Sequence, residues 1–438
     1  MRLLVHSARQ LALVTGAGGA AAAAGPLVGP AMHAIAVLES DAGLALVADE
    51  SGRIEEFGNN TEIMKKWQDT SFDEVVDANG MCVIPGFIDA HTHPIWSGDR
   101  INEFIMKLEG ATYMDIHKKG GGIYSTVRNT KNASDEELYV SLKSRLTRMM
   151  HAGTTVVECK SGYGLDVNSE IRLLKILQKA KEEHPLDISI TFCGAHAIPE
   201  GMNSTEAVDA VVNDQIPAVK EMKQNGTLNV ENIDVFCEKG VFNVEESRKI
   251  LTAGKNIGLR VNFHGDELCA LGSAEMGAQL NATAISHLEE ISAEGIAAMA
   301  NSGVVAVILP TTAFIMHLKP PPVRQLISHG VPVALGTDFN PNAYCLAMPL
   351  VMHLACIHLG MTVNEALVAS TLNAAASLGR SATNGSIQKG KWADFVIVNA
   401  PRWEHIIYQY GAHSHLIYAV IKDGKVVYKN KEFSRSTV

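Results

Sequence analysis

Apolar residues along the chain follow two rhythms. At both ends they come in short runs with period-two alternation, cut by turn residues. From about Arg2 to Ile84 such β-like pieces recur. GLALVADESGRIEEFG is one, with Ser51-Gly52 suited to a tight hairpin. The far end repeats the texture in WADFVIVNA and in HLIYAVIKDGKVVYKN, where Asp423-Gly424 is the turn. Neither piece is large enough to be stable alone, because a small sheet needs several strands and a covered face. The two ends are therefore expected to join into one small β-sandwich domain, residues 1–84 with 385–438.

The stretch between them, 85–384, alternates strands with helices. Eight apolar or β-branched runs each close on polar residues: VIPGFIDAHTH, TTVVECKSGYG, ISITFCGAH, IDVFCE, LRVNFHGDE, ATAISHLEE, VVAVILPTT and VPVALGTDFN. Helical patterns separate most of them. Ser134-Asp135-Glu136-Glu137 is a capping box that opens a helix with Leu138, Leu142, Leu146 and Met149 on one face. Thr362 to Glu365 forms another box, and Gly379 is a helix stop. Eight β-then-α units over this length imply an α/β fold, a closed (β/α)8 TIM-like barrel, more readily than an open doubly wound sheet. The active site of such a barrel lies at the C-terminal ends of its strands, where the polar residues cluster.

Composition narrows the class. The chain has 438 residues, 47% of them hydrophobic and 19% charged, as in a globular protein. Its net charge of −10 argues against a nucleic-acid surface. No run of eighteen apolar residues predicts a membrane span. The seven cysteines are scattered, without a Cys-x-x-Cys pair, which reads as reduced thiols in a cytoplasmic protein. Cys159, Cys193, Cys237 and Cys269, on or just after barrel strands, are expected to be small buried hydrophobes. Arg2, Arg9 and the Ala/Gly-rich stretch after Thr15 faintly resemble a targeting peptide. The broken apolar pieces of RLLVHSARQLALV favour a strand pair with a long loop instead.

The candidate chemistry begins at His91-x-His93, which ends the first barrel strand. Residues two apart on a strand point to one face, so both imidazoles can meet one metal ion. His264 ends the fifth strand and Asp338 the eighth. A buried Asp beside neutral histidines is costly, and a divalent cation satisfies it. Three histidines and an aspartate with an open position suit one catalytic Zn2+, and iron accepts similar ligands. The plainer reading of Asp338 is a helix N-cap.

His-x-His after strand one, His after strands five and six, and Asp after strand eight resemble the pattern of the amidohydrolase superfamily over nearly the whole chain. Within it, KLEGATYMDI, ECKSGYGL, CGAHAIP, DVFCEKGVF, NFHGDE, SHLEE and DFNPN resemble segments of imidazolonepropionases. The resemblance implies hydrolysis of the cyclic amide of 4-imidazolone-5-propanoate to N-formimidoyl-L-glutamate in L-histidine degradation. It also implies a cytoplasmic homodimer with a small-molecule substrate. That chemistry asks for metal-activated water, a base to take its proton and an acid to help the ring nitrogen leave.

Glu267, three residues after His264, is similar in position to the family's acid/base and ring contact. His287, after strand six, is expected to hold or protonate the oxygen that gains charge, with a satisfied core histidine as the plainer reading. Asp338 could also accept the water proton while ligating, and the sequence leaves open which carboxylate does so. Arg100 is the candidate clamp for the propanoate, since a guanidinium grips a carboxylate bidentately. Tyr113, Tyr163 and His196 lie in the matching segments and would add donors, although Tyr113 could equally pack on the rim. Asn340 and Asn342 could touch the ring or the opened product, or form a turn at Asn340-Pro341. Many family members carry Gly and a hydroxyl residue where this chain has Asn342-Ala343, which puts that loop's contacts in doubt.

Three rival readings stand beside this one. A nucleobase aminohydrolase would share the metal site, but Arg100 and SGYG argue against it because a nucleobase carries no carboxylate. A two-metal amidase would need a modified lysine after strand four, where Lys239 stands nearby. An inactive scaffold would have lost ligands, and all four candidates are present.

Overall fold

In the computed structural model the described residues are 1–16, 25–110 and 121–431. The chain opens with β1 (Leu3–Gly16), β2 (Ile35–Ala48), β3 (Ile54–Asn59), β4 (Glu74–Asp77) and β5 (Cys82–Pro85). The barrel strands follow: β6 (Phe87–Asp89), β7 (Thr154–Lys160), β8 (Asp187–Ala195) and β9 (Val230–Cys237). Then come β10 (Arg260–Gly265), β11 (Ala284–His287), β12 (Val305–Ile308) and β13 (Val333–Leu335). The chain returns to the first sheet with β14 (Phe395–Val398), β15 (Ile417–Lys422) and β16 (Lys425–Lys429).

The terminal strands join into one continuous mixed sheet in the order β16-β15-β14-β5-β1-β2-β3, with β4 also on β1. Pairing of β14 with β5 stitches the C-terminal segment to the N-terminal one. The joint has its own core, in which Leu3, Leu11 and Leu46 meet Phe395, Ile397 and Ile421. Register shifts along β1 let the sheet bend around that core. Both predicted turns form. Asp423 and Gly424 each have positive φ, at 50° and 71°, the signature of the two-residue hairpin turn whose twist suits the strands.

Each of the eight apolar runs read from the sequence overlaps one of the parallel strands β6 to β13, in sequence order, although β8 and β9 begin before their runs, at Asp187 and Val230. The ring closes between the last and first runs by a parallel bridge, Thr92 with Phe339. There Asp338 N donates to His91 O at 3.0 Å and His93 N to Phe339 O at 2.8 Å. Asp89, at the end of β6, clamps the same seam: it accepts from Thr337 N at 2.9 Å and from Thr337 Oγ1 at 2.6 Å. Gly336 permits this approach, since a Cβ there would stand 2.9 Å from His91 Cβ.

Outside the barrel, the helix Asp135–His151 starts at the predicted capping box and buries Leu138, Leu142, Leu146 and Met149. Thr362 and Glu365 cap the helix Val363–Ala369 in the same reciprocal way. Gly379, at φ +69°, follows the helix Leu372–Ser377. Cys159, Cys193 and Cys237 are buried, while Cys269 is half-buried, and all are free thiols. Among the described residues no helix is long and apolar enough to cross a membrane.

Candidate metal centre and active-site cavity

The C-terminal ends of the barrel strands bring four metal-ligand candidates together. His91 Nε2 lies 3.3 Å from His93 Nε2, which lies 3.2 Å from His264 Nε2. Asp338 Oδ1 is 3.5 Å from His91 Nε2 and 3.7 Å from His93 Nε2. All four side chains are buried. Asp338 takes the left-handed conformation, φ 48°, and caps no helix, so its N-cap reading falls away.

A partner behind His264 fixes which of its ring nitrogens carries hydrogen. Asp234, on β9, accepts from His264 Nδ1 at 2.8 Å and from His264 N at 3.2 Å. A carboxylate only accepts, so His264 Nε2 is left with a lone pair aimed at the cluster. His91 Nδ1 bonds Ser286 Oγ at 2.8 Å. Asp338 Oδ2 accepts from Thr312 Oγ1 at 2.5 Å, leaving Oδ1 facing the histidines. Burial, helped by neighbouring cationic groups, pushes His91 and His93 well below the ordinary imidazole range. Three converging neutral imidazoles with a buried carboxylate form a donor set that fits a divalent cation.

Asp234 is itself braced. Lys160 Nζ, at the end of β7, lies 2.6 Å from Asp234 Oδ2 on β9 and 2.7 Å from Glu158 Oε1 on its own strand, all three buried. Burial works against the Asp234 carboxylate, but His264 and Lys160 hold its pKa far below the usual range.

Beside the cluster stand the proton-handling candidates. His287, at φ +80°, ends β11 with Nε2 3.6 Å from Glu267 Oε2 and Nδ1 3.7 Å from Glu289 Oε2. Burial disfavours its cation, but the two carboxylates outweigh that and raise its pKa. Burial also raises Glu267, against the pull of His287.

His93, His264, Glu267, His287 and Asp338 line one wall of a cavity of about 400 Å³. Arg100, Tyr163, His196, Asn340 and Asn342 line the rest with Phe236 and Lys239. His196 stacks on His93 with ring centroids 4.7 Å apart, and Tyr163 lies 5.3 Å from His196. Arg100 donates through Nε to Thr126 Oγ1 at 3.1 Å and has no carboxylate partner among the described residues. Asn340 forms the turn, its Oδ1 accepting from Asn342 N and Ala343 N, and the residue also lines the cavity. Tyr113 lies outside the described residues.

Residues that the sequence did not single out hold these groups or complete the wall: Asp234, Glu158, Lys160, Ser286 and Glu289 behind the site, and Thr312, Phe236 and Glu238 in the cavity lining. Three of these carried a signal. Asp234 interrupts Ile233 and Val235, and Glu158 and Lys160 follow Val156-Val157, in strands too apolar to tolerate a charge without a partner.

The chain belongs to the amidohydrolase family, whose sequence profile matches residues 82–427. Solved structures agree on the fold: guanine deaminase of E. coli has a TM-score of 0.71 at 15% identity, covering 98% of this chain and 99% of that one. Much nearer relatives carry the name probable imidazolonepropionase. The protein of that name from Nematostella vectensis is 56% identical over 431 residues, 98% of this chain and 99% of its own length. The one from Homo sapiens is 51% identical, covering 98% of both chains. At that identity over nearly the full length, the chain falls in the imidazolonepropionase branch of the family.

Proposed function

We propose that this chain hydrolyses the cyclic amide of 4-imidazolone-5-propanoate to N-formimidoyl-L-glutamate, a step of L-histidine degradation, with one divalent ion held by His91, His93, His264 and Asp338. The observation that carries the reading is the convergence of these four groups beside Glu267 and His287, in a cavity whose wall offers Arg100, which pairs with no carboxylate among the described residues. A zinc or iron ion there would lower the pKa of water and polarise the ring carbonyl.

The chain's own residues divide the remaining work. Glu267, with its raised pKa, exchanges protons near neutrality: it takes one from the attacking water and returns it to the departing ring nitrogen. His287, held cationic between Glu267 and Glu289, faces the oxygen that gains charge. Arg100 grips the propanoate while Tyr163 and His196 pack along the ring, and Asn340 and Asn342 close the side nearest strand eight. Free thiols support a reducing, cytoplasmic setting. The homodimer rests on the superfamily resemblance alone.

The test is turnover of 4-imidazolone-5-propanoate, generated from urocanate by urocanase and followed by loss of ring absorbance. Rapid loss is expected, falling at least about a hundredfold in kcat/KM for Arg100→Ala, the order set by losing a bidentate charged contact. Loss no faster than the spontaneous rate, from metal-loaded protein, would sink the substrate assignment and favour the nucleobase-deaminase rival.

A further inference from the structure

Adjoining the catalytic cavity is a second one of about 400 Å³. The two share Arg100, His196, Phe236 and Asn342 in their walls, and the second adds Glu103, Lys107 and Tyr124. Arg100 is the N-cap of the helix Ile101–Leu108, and Lys107 sits two turns along it. Lys107 Nζ donates to Asn342 Oδ1 at 2.5 Å, tying the segment after β6 to the loop after β13 across the cavity wall.

Among the described residues the charge in this wall does not balance. An amide oxygen accepts a hydrogen bond but leaves the ammonium charge uncompensated. Among the described residues neither Arg100 nor Lys107 is paired with a carboxylate. Glu103, which lines the second cavity, instead accepts from Gly122 N at 2.8 Å and Ser125 Oγ at 3.4 Å. Among the described residues of this wall, two cations thus stand against one carboxylate that is already engaged. Burial and the Arg100 charge hold Lys107 below the ordinary lysine range, which Glu103 only partly offsets.

We propose that Lys107 is a second cation of the carboxylate clamp, parked on Asn342 until the substrate arrives. The propanoate then takes the ammonium from Asn342 Oδ1 and lies between Lys107 and Arg100. Asn342 therefore acts as the resting partner of Lys107. The assignment rests on the propanoate substrate proposed above and deepens it, by making the tail's recognition two-armed.

The experiment is calorimetric binding to the metal-loaded full chain of two stable probes, 3-(imidazol-4-yl)propanoate and 4-ethylimidazole, which lacks the charge. Lys107→Met is expected to weaken the propanoate about tenfold or more, the usual scale for a charged hydrogen bond, and to leave 4-ethylimidazole within about twofold. Lys107→Arg restores most of the loss. In turnover, Lys107→Met raises KM and leaves kcat nearly unchanged. Equal weakening of both probes, or of neither, overturns the second-cation role. Failure of the unsubstituted chain to turn over 4-imidazolone-5-propanoate overturns the substrate reading instead, and the two-probe comparison still decides Lys107.

Discussion

At the scale of single residues, the side chains behind the site decide as much as those that face it. Thr312 donates to the Asp338 oxygen that points away from the histidines. Thr312→Val keeps the shape but lets that carboxylate rotate. It should cost about tenfold or more in metal affinity, read by competition with a coloured chelator. An unchanged affinity would show that the seam between strands eight and one orients Asp338 without help. Away from the site, His184 Nδ1 accepts from Leu186 N at 3.1 Å, and its Nε2 lies 3.2 Å from Thr147 Oγ1. That places the ring hydrogen on Nε2. Burial holds the folded pKa down to about 4, against 6.5 for a free histidine. The unfolded chain therefore takes the proton first, and stability is lost as pH falls from 6.5 toward 4. With screening allowed for, the loss is of order 1 kcal/mol, seen as extra acid sensitivity of the wild type over His184→Asn in urea titrations. Parallel curves would count against it.

At the scale of elements, the sequence is most readable where backbone demands are local. The capping boxes at Ser134 and Thr362 and the Asp423-Gly424 turn all form as read, because each needs only residues within a few positions. One demand on a turn was not local. Gly52 has φ +82°, and a Cβ there would stand 2.4 Å from the carbonyl oxygen of Asp423, in the hairpin at the other end of the chain. Ser51-Gly52 announced a hairpin but not its partner. Gly52→Ala meets both the strained φ and that backbone contact, so it should cost about 2–4 kcal/mol. A fluorescence-monitored denaturation midpoint measures it, and a change below about 0.5 kcal/mol, the range of an ordinary surface substitution, would contradict the close approach.

At the scale of the molecule, the candidate metal ligands come from the first, fifth and eighth strands, so an ion held by all four would couple its binding to barrel stability. Any ligand of the folded state alone stabilises it, by about 4 kcal/mol at a free concentration a thousandfold above Kd. Exhaustive chelation should therefore lower the thermal midpoint, and zinc or iron(II) should restore it. A midpoint indifferent to both would argue that the four groups hold no ion.

The eight strand runs, the site at their C-terminal ends and the pairing of the two termini could be read from the chain, because burial imposes period and composition on each segment separately. His91, His93, His264 and Asp338 were equally visible, since ligand residues at strand ends have few plainer uses together. What the sequence could not supply was partnership across distance. That Asp234 serves His264, that Lys160 braces Asp234 and that Lys107 reaches Asn342 depends on which strands and loops become neighbours when the barrel closes. Periodicity fixes where a side chain points within its own element. Only tertiary packing decides what it meets, because a buried charge is tolerated by virtue of a partner far away in the chain.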